Sequence, residues 1–176
     1  MSTVRSFHCG TGKGGKGDTN YKAFRDGNFV AICVHSNETK RRLLKVIADI
    51  EVGDEIYLHK SGTGLTHKGV FKGKILCHKS TVPIEWNEVG WPTKVHEITT
   101  ESMRTELSNA WTFRSWGEPG FWNLDGLFGG DVLVFHVDEW EPLSTPEKGA
   151  GVRATMYQIR PTSPGTGRNG SSWIKV

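Results

Sequence analysis

The sequence has few cysteines and places them far apart. Cys9, Cys33 and Cys77 are odd in number and lack CxxC spacing, so they predict neither a zinc site nor a disulfide framework. No apolar run reaches the length of a membrane-spanning helix, and the first residues lack the apolar stretch of a signal peptide. We therefore expect an intracellular protein, cytoplasmic or, in a eukaryote, nuclear, that does not bind a membrane.

Motifs for catalysis are also scarce. The seven histidines do not fall into metal-ligand spacing, and no GxSxG nucleophile motif is present. The stretch from Gly10 to Lys16 matches the first seven positions of a phosphate-binding P-loop, but Gly17 stands where the motif needs a hydroxyl to hold magnesium. We therefore expect no catalytic residue, metal or cofactor. The stretch is interpreted as a basic loop in which Lys13 and Lys16 contact a nucleic-acid backbone, or as a plain flexible loop.

Charge is present in both signs but is unevenly distributed. Residues 1–79 carry 14 Lys and Arg against 7 Asp and Glu, whereas residues 80–149 carry 4 against 12. Residues 150–176 carry 4 basic residues and no acidic one. A polyanion would favour the basic regions of such a surface, although charge alone is equally compatible with an ordinary solvated surface.

Apolar patterning predicts short strands mixed with helices. Residues 29–34 are a continuous apolar run of strand length, typical of a central strand buried on both faces, and residues 131–136 (DVLVFH) are a second, strongly apolar strand. Residues 38–47 form an amphipathic helix with a basic exposed face. Residues 55–59 and 69–75 form a hairpin with a polar tip. We expect one α+β domain over residues 1–160, a small curved mixed sheet or β-barrel flanked by two or three helices.

Two further stretches stand out by composition. Residues 161–176 are rich in Gly, Ser and Pro, which predicts a flexible C-terminal tail. Tryptophans are interleaved with turn-forming residues at Trp86, Trp91, Trp111, Trp116 and Trp122. Tryptophans in such loops either close the end of a barrel or line a pocket for a planar group, and we expect one to three of them to do the latter.

The order of these segments resembles the PUA-like superfamily, in particular its EVE and YTH branches and the related domains of modification-dependent restriction systems. The resemblance spans residues 3–143. It is carried by the segments FRDGNFVAI, VGDEIYLHKSG, GVFKGKI, VPIEW and VFHVDEWEPL. It implies a PUA-like fold and a non-catalytic domain that recognises a modified base of DNA or RNA in an aromatic pocket with a basic rim, beside a possible nuclease partner.

The resemblance also implies roles for individual residues. Ser36 and Asn37 would hydrogen-bond the edge of the base, Trp86 would stack on it, and Ser61 would lie near the pocket mouth. Trp91, Trp116 and Trp122 are candidates for a second wall on composition alone. The side chains expected to contact phosphates are Arg41, Arg42, Lys68 and Lys72.

Two other functions remain open from the sequence. A small nucleotide or nucleic-acid hydrolase, as proposed for PUA-like relatives of the ASCH type, would need Tyr57, Lys60 and Glu85 to converge in one cavity. A module that binds a peptide or a nucleotide messenger would use the acidic residues 80–149. The oligomeric state, the identity of the ligand and its modification do not follow from the sequence.

Overall fold

The computed structural model describes residues 3–12, 14–34, 37–78, 95–98 and 131–176, and these form an α+β fold. The two α-helices of this part of the chain are α1 (Gly14–Gly27) and α2 (Asn37–Asp49). Its strands are β1 (Ser6–Cys9), β2 (Phe29–Val34), β3 (Glu55–Lys60), β4 (Gly64–His78), β5 (Val95–Ile98), β6 (Asp131–Val137), β7 (Glu141–Glu147), β8 (Met156–Pro161) and β9 (Trp173–Lys175).

The strands form one open, mixed sheet. Their order is β2-β6-β4-β3-β1-β8-β9, and β5 and β7 also pair with β4. Strands β1 and β3 are parallel, as are β4 and β5, whereas the other pairs are antiparallel. Within the described residues no ladder joins the two ends of this order. The prediction of a small mixed sheet with helices is therefore confirmed, and these strands do not close into a barrel.

Strand β4 is long enough to take part in two regions of the sheet. Its first half pairs with β3 and β7, and its second half pairs with β6 and β5. The register shifts between Phe71 and Ile75, and Gly73 between them has a positive φ of 81°. The pairing of β3 with β4 confirms the predicted hairpin, whose turn is closed by a hydrogen bond from the Thr63 amide to the Lys60 carbonyl.

The main core lies on one face of β1 and β3, here called the inner face. Phe7 and Cys9 of β1 and Ile56 and Leu58 of β3 are fully buried there, because alternate residues of a strand point to the same side. They pack in one cluster with apolar residues of α1, α2, β2 and β6. Helix α2 contributes Leu43, Val46 and Ile47, which confirms the predicted amphipathic helix. No helix in the described ranges is long and apolar enough to cross a membrane.

Helix α1 begins earlier than the sequence suggests. The stretch from Gly10 to Lys16 is predicted to be a loop, yet the helix begins at Gly14 and includes Lys16. A Cβ added at Gly17 would lie only 2.1 Å from the Gly12 carbonyl oxygen. Glycine here therefore permits a close approach between the first turns of the helix and the preceding chain, a use of glycine that composition alone does not distinguish from flexibility.

Strand β2 also differs in one respect from its prediction. Residues 29–32 are buried as expected. However, β6 is the one strand that pairs with β2 among the described residues, so β2 stands at the end of the described strand order. Packing within the main core buries both faces of β2. Such burial does not require a paired strand along each edge of β2.

The end of the chain is held on the sheet. Residues 161–176 were predicted to form a flexible tail, but β9 pairs with β8 and Trp173 is 7% exposed. The Ser171 hydroxyl donates to the Lys148 carbonyl at 2.9 Å and accepts from the Trp173 amide at 2.9 Å. Glycines in this stretch occupy turns, for example Gly165 and Gly170 with positive φ, so its composition reflects turn geometry.

Candidate functional site

A cleft of about 600 Å³ opens where the parallel strands β1 and β3 end. Because parallel strands end at the same edge of a sheet, the loops that follow them lie side by side. Residues 10–12 and 61–64 form these two loops, and residues 148–154 form the opposite wall. The side chains of this large cleft that carry chemistry are His8, His59, Ser61, Lys148, Arg153, Tyr157 and Arg168.

Polar contacts tie the first loop to the end of β3 and to helix α1. The Thr11 hydroxyl donates to the His59 carbonyl at 3.0 Å, and the Asn20 side-chain amide donates to the Thr11 carbonyl at 3.2 Å. Thr11 and Asn20 are both buried. Helix α1 therefore fixes the first loop, and the first loop in turn fixes the end of β3, so the cleft is largely preformed.

Three aromatic rings form the floor of the large cleft. His8 stacks on Tyr157 with ring centroids 4.6 Å apart and planes tilted by 20°, and it contacts His59 with centroids 5.0 Å apart. These rings lie on the outer face of β1, β3 and β8, opposite Phe7 and Cys9, because residues of a strand alternate between faces. Gly149 lies against both imidazoles, and a Cβ there would be 3.5 Å from each Cδ2 atom. Even a small side chain at position 149 would occupy part of the space beside the two imidazole rings.

The floor is uncharged at neutral pH. The pKa of His8 is lowered to about 3, mainly by burial and to a smaller extent by the neighbouring His59, while hydrogen bonding to the Thr155 backbone opposes part of the shift. Burial also lowers the pKa of His59. Two neutral imidazoles beside a tyrosine offer stacking surface and hydrogen-bonding nitrogens, whereas a charged imidazolium would attract phosphate directly.

Positive charge is concentrated at the rim. Lys148 donates to the Asn169 carbonyl at 2.9 Å, and Arg168 donates to the Gly151 carbonyl at 3.0 Å. Neither these two side chains nor Arg153 makes an ion pair with a described residue. No acidic side chain is among the described residues that line the large cleft. Three cations are thus available to an anionic ligand next to a neutral aromatic floor.

The C-terminal residues hold the basic wall in position. The Trp173 indole donates to the Glu147 carboxylate at 3.0 Å and packs on Tyr57 with ring centroids 4.9 Å apart. A Cβ at Gly151 would lie 2.8 Å from Arg168 Cδ, which shows how closely the two segments approach. The end of the chain is therefore part of the candidate site.

A second, smaller cleft of about 200 Å³ adjoins the first. It is formed by the first half of α2 and the residues that lead into β8, and it shares Arg153 and Ala154 with the large cleft. Within it, Arg42 forms an ion pair with Glu38 across one turn of the helix. The remaining residues that line this small cleft are Thr39, Leu43, Thr155 and Met156.

The predicted site residues in the described part of the chain do not all meet. Ser61 lines the large cleft and Arg42 lines the small one. Arg41 is exposed on α2 but lines neither. Lys68 lies 3.5 Å from the Glu55 carboxylate, and Lys72 is exposed on β4, so neither lysine lines a cleft. The expected contacts of Arg41, Lys68 and Lys72 with phosphates thus have no support from the clefts.

Other predicted residues lie outside what the structure describes. Asn37 begins α2 and Lys16 lies in α1, with only their backbones described. The remaining residues outside the described ranges are Lys13, Ser36, Trp86, Trp91, Trp116 and Trp122. Their proposed roles in stacking and hydrogen bonding stay predictions.

The residues expected of a hydrolase diverge. Tyr57 is on the outer face against Trp173, and its hydroxyl is 3.4 Å from the Glu55 carboxylate. Burial, together with nearby carboxylates, raises the pKa of Tyr57. The Lys60 ammonium instead lies 5.2 Å from the ring centroid of Tyr21 in α1. Glu85 is outside the described residues. Tyr57 and Lys60 therefore do not share a cavity.

Several residues of the large cleft were not predicted from the sequence. His8, His59 and Tyr157 were not assigned a binding role, because lone histidines give no spacing signal. The alternation in β1, with apolar Phe7 and Cys9 on one side, could have placed His8 on the opposite face just before the glycine-rich loop. The cations Lys148, Arg153 and Arg168 lie in or beside the purely basic final segment. The excess of basic residues predicts a basic surface there but does not locate a site.

The chemistry of this site rests on its own residues. The described residues contain no group of three or more His, Cys, Asp or Glu that could hold a metal ion.

Comparison with family models, with curated proteins and with solved structures finds no match to this chain. The side chains that line the large cleft can stack on a planar ligand, hydrogen-bond to it and attract an anion.

Proposed function

We propose that this protein is a non-catalytic nucleic-acid-binding domain whose large cleft accepts one base, in the first instance a modified base. The observation that carries this proposal is the neutral aromatic floor of His8, His59 and Tyr157 beside the cations Lys148 and Arg153. A base needs an uncharged stacking surface, and the backbone attached to it needs positive charge.

The dimensions of the cleft agree with this ligand. Pockets for small ligands commonly measure roughly 300–1,000 Å³, and about 600 Å³ lies within that range. Stacking of a base on an aromatic side chain contributes ~1–3 kcal/mol, and each phosphate neutralised at the rim adds a salt-dependent contribution. Ser61 lines the cleft and provides a hydroxyl that can both donate and accept.

We also propose that the fold is PUA-like. What supports this is an open mixed sheet with two helices, together with a β3–β4 hairpin whose tip borders the cleft. The domain would then act beside a nuclease or restriction partner that supplies the catalysis. The divergence of Tyr57 from Lys60 is the reason to favour a binding role over hydrolysis.

Binding to labelled oligonucleotides tests the proposal. Fluorescence anisotropy would be measured for single- and double-stranded DNA and RNA that contain cytosine, 5-methylcytosine, adenine or N6-methyladenine, at low and physiological salt. We expect binding that weakens with salt and depends on the modified base. Gly149→Leu should abolish it by filling the space over the histidines, and Gly149→Ala should weaken it less, because a Cβ there meets both rings at ordinary contact distance.

Two results would contradict the proposal. If no oligonucleotide binds even at low salt, the large cleft does not serve nucleic acid, and free nucleotide messengers and peptides become the ligands to test. If binding occurs but Gly149→Leu has no effect while the variant remains folded, the base does not enter this cleft. The tryptophans outside the described residues would then be the next positions to substitute.

A further inference from the structure

We propose that the small cleft beside α2 binds the phosphodiester next to the base in the large cleft, so that the ligand is a strand of at least two linked nucleotides. This inference rests on the proposed function, since it assumes that a base occupies the large cleft. Its starting point is that Arg153 and Ala154 line both clefts. Arg153 is therefore placed to contact a ligand in either cleft.

The charges of the small cleft match one phosphodiester. Among the described residues that line it, Arg42 and Arg153 are positive and Glu38 is negative, which sums to one positive charge. A phosphodiester carries one negative charge. Arg153 has no ion-pair partner among the described residues, and the Arg42–Glu38 pair is partly exposed, so that a phosphate oxygen can replace the Glu38 carboxylate on the guanidinium.

The sizes of the two clefts also favour a linked ligand over a free nucleotide. The large cleft has an aromatic floor, whereas the small one is about a third of its volume and is lined mainly by charged and hydroxyl-bearing residues from α2 and the β8 approach. A mononucleotide would place its base on the floor and its phosphate at the rim, leaving the small cleft unused. A second nucleotide would extend the contact past Arg153 to Arg42.

Substitutions on one turn of α2 give opposite expectations. Arg42→Gln should weaken binding of a dinucleoside monophosphate by about fivefold, the size expected of one partly exposed charge contact. Glu38→Gln should strengthen it, because the carboxylate no longer competes with the phosphate. The matched control is Arg41→Gln, which removes the same charge from the adjacent residue, where the side chain is exposed and lines neither cleft.

The experiment compares these variants by calorimetry, with dinucleoside monophosphates and nucleoside 5′-monophosphates of the same bases as probes. We expect the dinucleoside monophosphates to bind more tightly to the wild type, and Arg42→Gln to affect them alone. With longer single strands, Arg42→Gln should also reduce the slope of log affinity against log salt by about 0.7, the value for one phosphate contact. A dinucleoside monophosphate with a neutral methylphosphonate linkage should bind the wild type and Arg42→Gln equally.

The outcomes separate this inference from the proposed function. If both kinds of probe bind equally, or if Arg42→Gln and Arg41→Gln behave alike, the small cleft does not bind a phosphodiester, although the base can still occupy the large cleft. A different outcome would contradict the proposed function itself. In that outcome neither probe binds, and the Gly149→Leu variant and the wild type have the same affinity for longer strands. This inference would then fail as well.

Discussion

The two faces of strands β1 and β3 differ in almost every property. On the inner face Phe7, Cys9, Ile56 and Leu58 are fully buried under two helices. On the outer face the neighbouring positions are polar or amphipathic, and the cover consists of the chain from β7 to β8 and the C-terminal strand. This second cluster is small, and its buried members are Tyr57, Leu65, Ala150, Tyr157, Ile159 and Trp173.

The difference shows how a short strand can contribute to the core on one face and to the candidate site on the other. The inner residues contribute burial of apolar area, which is the dominant favourable term in folding. On the outer face His59 is partly exposed and lines the large cleft, whereas His8 and Tyr157 are buried beneath it. A site on the outer face is therefore supported by rigid strands that the inner face stabilises, which is the arrangement a precise binding site needs.

The largest expected effect belongs to the inner face. Phe135 of β6 is fully buried and packs near Phe71, with ring centroids 6.3 Å apart. Phe135→Ala should lower the free energy of unfolding by about 3–5 kcal/mol, through lost burial and a residual cavity. Urea unfolding measures this. Val70→Ala, at an exposed position on the outer face, is the control and should change the free energy of unfolding by less than about 0.5 kcal/mol. Similar losses of stability in both variants would contradict the difference between the faces.

A smaller effect is expected where the end of the chain covers the outer face. Ser171→Ala removes two hydrogen bonds of a buried hydroxyl, one to Lys148 and one from Trp173. We expect a loss of ~1–3 kcal/mol in the free energy of unfolding and weaker oligonucleotide binding, because the basic wall loses its anchor. Ser163→Ala, at an exposed position, is the control. Unchanged binding in a measurably destabilised Ser171→Ala protein would show that the wall does not depend on this anchor.

The pH dependence of stability should also reveal the outer face. His8 remains neutral in the folded protein until about pH 3, whereas in the unfolded chain it takes up a proton near its ordinary pKa of 6.5. Protons therefore favour the unfolded state, so this contribution is complete above pH 6.5 and is lost as the pH falls towards 3. The slope is on the order of 1 kcal/mol per pH unit.

Urea unfolding of the wild type and of His8→Gln between pH 7 and pH 4 checks this expectation. The variant should show a smaller slope, since Gln does not titrate. Part of the slope should remain, because burial lowers the pKa of His59 in the same direction. Parallel curves for the two proteins would mean that His8 is already protonated in the folded state within this range.

The smallest effect is expected at the end of the outer face away from the large cleft. Lys68 pairs with Glu55 at 3.5 Å, and both side chains are about one-quarter to one-third exposed. Lys68→Ala should change the free energy of unfolding by less than about 1 kcal/mol, as is typical of solvent-accessible ion pairs. It should leave oligonucleotide binding unchanged, whereas Arg153→Gln should weaken it. If Lys68→Ala and Arg153→Gln weakened oligonucleotide binding equally, Lys68 would again be a candidate for a phosphate contact.

Elements with a strong local pattern were predictable. The strands predicted at 29–34 and 131–136, the amphipathic helix α2 and the β3–β4 hairpin are all present. The spacing of apolar residues in each element follows from which of its faces are buried. This spacing can be recognised within the short segment that forms the element. Glycine-rich segments were harder to interpret, because glycine at Gly17 serves close packing while the same residue elsewhere serves turns.

The sequence by itself determined the α+β class, the positions of β2, β3, β4 and β6, and the surplus of basic residues at the two ends of the chain. Only the tertiary structure decided that β1 lies parallel to β3, that β9 returns to β8, and hence that His8, Gly149 and Arg168 border one cleft. Pairings between distant segments depend on the packing of the whole sheet. No local periodicity encodes such pairings, so the candidate site became visible only when the chain was folded.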